Sequence, residues 1–127
     1  MIDFHTHQSP ADTVTSVRSL LISEVEKITP HDLFTVGIHP WYSEDIEIDS
    51  QLSKLKDLVK QNNVIAIGEI GLDKHRGAPI EKQMELFEKQ VLIAEKVQKP
   101  VIIHCVRAWV ELLEVRKRVK PSVPWAI

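Results

Sequence analysis

The first apolar run of the chain ends in two histidines one residue apart, His5 and His7, in the stretch MIDFHTH. On a strand, side chains alternate with a period of two, so His5 and His7 would share a face, and Asp3 would share it with them. Two imidazoles on one face can ligate a single cation, and a carboxylate beside them can ligate it too or orient a ring. Two histidines so spaced also arise by chance where a strand end meets solvent. The pair needs company to define a site.

Three other runs supply it. His39 follows FTVGI, Glu69 lies in VIAIGEIGLD, and His104 follows PVII. A glutamate closing the run Val64 to Gly68 is costly to bury unless it is paired or bound to a cation; a salt bridge to a neighbouring strand is the plainer reading. His104 taken alone reads as a satisfied core histidine. Together the four strand ends have the composition of a mono- or binuclear metal centre, with Glu69 placed to bridge two ions. Such a centre activates water and polarises a phosphoryl or carbonyl oxygen. The segment LDKHRG adds Asp73, His75 and Arg76, and an arginine there either grips a phosphate or is merely solvated. Arg107 offers the same alternatives. Trp41, after GIHP, lines the pocket mouth or stacks on a base, packing being the simpler role. Gly68 and Gly71 flank Glu69 and allow a sharp turn or a close approach.

These groups can meet only if the elements bring them together. Short apolar runs rich in β-branched residues read as strands at Ile2 to His5, Val17 to Ile22, Leu33 to Ile38, Val64 to Glu69, Val101 to His104 and Val123 to Ile127. Mostly apolar rather than alternating, they suit parallel strands covered on both faces. Helical spacing appears in Asp49 to Gln61, in Ala108 to Val119, and most clearly in Pro79 to Gln98. There Ile80, Met84, Phe87, Val91, Ala94 and Val97 form one core-facing stripe. A parallel sheet gathers the C-terminal ends of its strands on one edge, where barrels and open α/β sheets carry their active sites.

At 127 residues and 43% hydrophobic content, residues 1–127 are expected to form a single domain with a core that needs no staples. Cys105 is the only cysteine, which excludes an internal disulfide and fits a reducing, cytoplasmic setting. No run approaches the roughly 20 apolar residues of a membrane helix, and the opening residues do not read as a signal peptide. A net charge of −2 draws in no polyanion by itself, so a phosphate substrate would need a metal or a few local cations. The one basic cluster, Arg116, Lys117, Arg118 and Lys120, falls at a helix end, where it complements the dipole.

In order, DFHTH, VGIHPWY, GEIGLDKHR and EKQMELFEKQVLIAEKVQKPVIIHC resemble the TatD family of metal-dependent deoxyribonucleases, which are amidohydrolase-like TIM barrels. The resemblance covers nearly the whole chain. Its most specific part is GEIGLD, followed by the spacing of Gln83, Phe87 and Gln90 and then by PVIIHC. It implies an α/β fold, an incomplete (β/α)8 TIM barrel of the metal-dependent hydrolase type. The chain would supply about the first half of a barrel that takes about 250 residues. It also implies two divalent ions, Mg, Mn or Zn, with His5, His7 and Glu69 ligating one and Glu69 and His104 contributing to the second. The implied reaction is hydrolysis of phosphodiester bonds in DNA by a metal-activated water, with Glu69 catalytic. His39 matches the histidine of the family's GxHP stretch and is expected near the substrate, and Arg76 matches a position facing phosphate.

Two departures qualify the transfer. The region Gln8 to Pro30 is short for the usual first helix and its loops, which predicts a more open entrance on that side. Family members also continue into a strand that supplies another histidine and a later one that supplies an aspartate. The chain is therefore expected to be the N-terminal part of a longer barrel, unable by itself to hold both metals as an active enzyme does. Two other functions compete with the TatD-like deoxyribonuclease. One is amidohydrolase-type hydrolysis of a small cyclic amide or lactone; the other is a non-catalytic half-barrel that self-associates through the open edge after Val123.

Overall fold

The computed structural model describes residues 2–6, 15–29, 31–44 and 47–127, with the backbone alone at 2–6, 15, 16, 23, 25 and 27. Six strands form one sheet: β1 (Ile2–Thr6), β2 (Thr15–Leu21), β3 (Leu33–Gly37), β4 (Val64–Asp73), β5 (Val101–Val106) and β6 (Trp125–Ala126). Their order is β1-β2-β3-β4-β5-β6, and every neighbouring pair is parallel. A doubly wound sheet reverses its order at a switch point. This one does not reverse, which is how strands are wound in the wall of a (β/α)8 barrel.

Helices α1 (Ile48–Leu58), α2 (Ile80–Val97) and α3 (Trp109–Val119) follow β3, β4 and β5, and each packs on the strand before it. The apolar stripe of α2 meets the sheet as its spacing predicts, with Phe87, Val91 and Ala94 fully buried and Ile80, Met84 and Val97 packed around them. Phe34, Ile67, Ile70, Leu72, Leu55 and Leu112 complete the centre of the core. Helix α2 ends on Gln98 in the left-handed conformation (φ 55°), whose N–H returns to the Ala94 and Glu95 carbonyls, and Pro100 then leads into β5. Near-continuous burial along β4 marks a strand covered on both faces.

The wall departs from the sequence reading at β4 and at β6. Strand β4 runs past Glu69 to Asp73, because Ile70, Gly71 and Leu72 continue the pairing with β5 after a register shift between Ile67 and Ile70. Strand β6 is only Trp125–Ala126, held by Trp125 edge-on to Phe87 with ring centroids 5.5 Å apart. Among the described residues, β2 and β3 are joined by a 3-10 segment, Ile22–Lys27, where the sequence shows no helical period. The connection from β1 to β2, where a short link was expected, lies outside the described residues. The basic cluster does close α3, and two of its members are engaged: Arg116 lies over the Trp125 ring and Arg118 pairs with Glu88.

Candidate metal centre

Three neighbouring strands deliver the site. His39 follows β3 and caps the 3-10 turn Pro40–Tyr42, Glu69 lies within β4, and His104 lies within β5. Glu69 sits where the pairing of β4 with β5 slips. Between the pairs Ile67 with Val101 and Ile70 with Ile103, β4 carries one residue more than β5, and such a bulge re-aims a side chain. Gly71, at φ 145°, makes the close approach possible, since a Cβ there would collide with the carbonyl oxygen of His104.

Among the described residues, His39, Glu69 and His104 offer donor atoms that all lie within 4.8 Å of one another. Glu69 stands between the two rings: Oε1 is 3.6 Å from His39 Nε2, and Oε2 is 3.5 Å from His104 Nδ1. The ring centroids are 4.5 Å apart. The His104 imidazole and the Glu69 carboxylate are donors suited to a divalent transition metal or zinc, with His39 beside them, so the residues present fit the metal that the sequence implies.

Behind His104 is a group that the sequence reading left on a loop. Asp73, 4% exposed, places Oδ2 2.8 Å from His104 Nε2 and 2.8 Å from the donating indole Nε1 of Trp41. Its Oδ1 accepts the His75 N–H at 2.8 Å. Burial works against ionisation of Asp73, yet the hydrogen bonds from His104, Trp41 and His75 outweigh it and hold the carboxyl at about 2. The only sequence signal for this role is an aspartate directly after the buried run Ile70-Gly71-Leu72.

Trp41 serves both histidines. Its backbone N–H donates to His39 Nδ1 at 3.1 Å while its indole holds Asp73. An accepting Nδ1 leaves the proton of a neutral ring on Nε2, so His39 turns an N–H toward Glu69. Arg76 stacks over the Trp41 ring at 4.0 Å and is thus placed at the site by an aromatic face rather than loose in solvent. Lys74 pairs with Glu111, tying the loop after β4 to α3.

Two buried glutamines of α2 fix the strand ends. Gln90 accepts from Ile38 N–H at 2.7 Å and donates to its carbonyl at 3.1 Å. Gln83 accepts from Asp73 N–H at 2.8 Å and donates to the carbonyls of Asp73, Arg76 and Ala78. Each side-chain amide replaces a neighbouring strand just where the ladder runs out. The spacing of Gln83, Phe87 and Gln90 thus has a physical basis, two clamps with a core residue between them.

The opening pair enters only in part. His5 lies in β1, whose C-terminal end opens on the same edge of the parallel sheet as the ends of β3, β4 and β5; its side chain and all of His7 lie outside the described residues. The structure therefore brings together His39, Glu69 and His104 of the expected set, with Arg76 near them through Trp41.

Known proteins share this sequence and wall. The family model described as TatD related DNase matches residues 2–125. The human 3'-5' RNA nuclease TATDN2 is 32% identical over 100 residues, which cover 76% of this chain and 13% of that protein. The 3'-5' ssDNA/RNA exonuclease TatD of Pantoea ananatis is 32% identical over 94 residues, 73% of this chain and 36% of its own length. YabD of Bacillus subtilis, described as an uncharacterized metal-dependent hydrolase, is 34% identical over 90 residues, 68% of this chain and 35% of its own. The crystal structure of YJJV, a TatD homologue from Escherichia coli, matches with a TM-score of 0.68 and 27% identity over 82% of this chain and 44% of that one. The chain spans only about a third of the bacterial curated relatives and less of the human one. With the family model running from residue 2 to residue 125 on a wall that matches YJJV, the chain belongs to the TatD-related DNase family.

Proposed function

We propose that residues 1–127 form the N-terminal part of a TatD-like barrel, in which they supply the first ligands of a metal-dependent nuclease acting on phosphodiester bonds. The observation that carries this reading is the Glu69 carboxylate set between His39 Nε2 and His104 Nδ1. The relatives named as nucleases of single-stranded DNA and RNA support the substrate class. In this reading His5, His7, Glu69 and His104 would hold the two divalent ions, Mg, Mn or Zn, that the resemblance implies. Bound divalent cations neutralise charge at the phosphate and activate the attacking water.

The remaining groups act on the substrate. His39 directs its Nε2–H to a non-bridging phosphate oxygen, where a neutral donor stabilises developing charge. Arg76, spread on Trp41, grips a neighbouring phosphate with the edge of its guanidinium. A cytoplasmic site of action is part of the reading, supported by the lone free thiol of Cys105. No helix among the described residues is long and apolar enough to cross a membrane.

The test uses the whole protein, stripped of metal and reloaded with Mg, Mn or Zn. Single-stranded DNA and RNA are offered beside a panel of small cyclic amides and lactones. The nuclease reading expects shortening of nucleic acid in at least one metal and none after stripping. Intact nucleic acid in every metal, with turnover of an amide or lactone, would replace it with amidohydrolase chemistry.

A further inference from the structure

His104 stands between two carboxylates that compete for one proton. Asp73 Oδ2 is at hydrogen-bond distance from Nε2, 2.8 Å, whereas Glu69 Oε2 is 3.5 Å from Nδ1. A carboxylate only accepts, so the nearer contact requires Nε2 to donate. The backbone of Asp73 is itself fixed at both its N–H and its carbonyl by Gln83, and its Oδ1 is occupied by the His75 N–H. The carboxylate therefore cannot swing to follow the ring.

We propose that Asp73 is the positioning residue of His104, holding the ring as the Nε2–H tautomer so that the Nδ1 lone pair faces Glu69 and the cation bound there. The assignment rests on the metal role proposed for His104. It divides the three-residue cluster into unlike parts: His104 presents a lone pair to Glu69, and His39, with Nδ1 taken by the Trp41 N–H, presents an N–H. Carboxylate partners of this kind fix ring orientation and raise the basicity of the ligating nitrogen.

Asparagine at position 73 cannot substitute for the aspartate. It has one acceptor oxygen, and three donors surround the native carboxylate. If the oxygen serves the His75 N–H, the amide –NH2 faces Nε2, and the proton of His104 moves to Nδ1. Trp41→Phe removes one donor from Oδ2 and leaves the carboxylate in place.

The experiment is nitrogen-15 NMR of the imidazole rings in the metal-free protein, well above the ordinary histidine pKa of about 6.5. Wild-type His104 is expected as Nε2–H, Trp41→Phe is expected to keep that form, and Asp73→Asn is expected to convert it to Nδ1–H. Titration with zinc alone, followed by calorimetry, is expected to show affinity roughly 10 to 100 times weaker in Asp73→Asn. An Nδ1–H ring in the wild type overturns the assignment without any variant having to fold. So does an Asp73→Asn protein with unchanged tautomer and unchanged zinc affinity. Neither measurement involves nucleic acid or turnover, so failure of the nuclease reading would leave these results standing, and the reverse.

Discussion

The side-chain amide of Gln90 pairs with both backbone groups of Ile38, the residue immediately before His39. Both partners are buried, so neither Ile38 group has water to fall back on. Gln90→Met keeps the volume and removes both hydrogen bonds. An orphaned buried donor or acceptor costs about 1–3 kcal/mol, so the variant is expected to lose about 3 kcal/mol of stability, read by urea unfolding. A loss below about 0.5 kcal/mol would mean that Ile38 is not held this way.

Gln83 makes a different prediction, because it gathers a loop rather than one residue. Its amide nitrogen donates to three carbonyls, of Asp73, Arg76 and Ala78, while its oxygen takes the Asp73 N–H. In Gln83→Leu the Asp73 amide is expected to lose its hydrogen-exchange protection while amides in the middle of β5 keep theirs. Uniform loss across the sheet would instead indicate global destabilisation.

At Gly71 the constraint is steric. The φ of 145° is strained for any residue with a Cβ, and that atom would meet the His104 carbonyl oxygen. Gly71→Ala is expected to cost about 4 kcal/mol or more, among the largest effects of a point mutation. Wild-type thermal stability in this variant would show that β4 and β5 are not so close.

Much of this was legible in the residues, and what was not has identifiable causes. The runs ending near His39, Glu69 and His104 are apolar because both faces of the wall are covered, so strand positions and the shared edge could be read from pattern alone. The end of β4 could not. Its continuation to Asp73 depends on a slip in pairing with β5, which is a relation between strands and leaves no period in either one. Asp73 and Trp41 were hidden for a similar reason: their partners are 31 and 32 residues apart in sequence, and a loop aspartate has the same composition whether it is solvated or buried. Gln83 and Gln90 were visible as spacing, but an amide that completes a backbone ladder cannot be told from one that faces solvent without the fold.

A pH effect is expected from the far side of the wall. Glu95 accepts from the Ser122 hydroxyl and from the Ser122 and Val123 backbone, pinning the approach to β6 on α2. The Ser122 hydroxyl, opposed by partial burial and joined by those two N–H groups, holds the Glu95 carboxyl below its usual range. A depressed folded pKa gives stability that is present above the unfolded value of about 4.3 and is lost as pH falls through the folded one. Glu95→Gln is expected to flatten the acid limb of a stability–pH curve by less than about 1 kcal/mol, since the group is part-exposed and screened. An acid limb identical in wild type and variant would contradict the assignment.

The measurement that bears most directly on the central claim compares Glu69→Gln with wild type in the whole protein, on single-stranded DNA at one saturating Mn or Mg concentration. A neutral amide cannot serve the charge between His39 and His104, and the metal's contribution to phosphoryl transfer is worth several kcal/mol. At 1.36 kcal/mol per tenfold, the predicted loss is at least about a hundredfold in turnover, with the fold intact by circular dichroism. Wild-type cleavage by Glu69→Gln would contradict a metal centre built on this carboxylate.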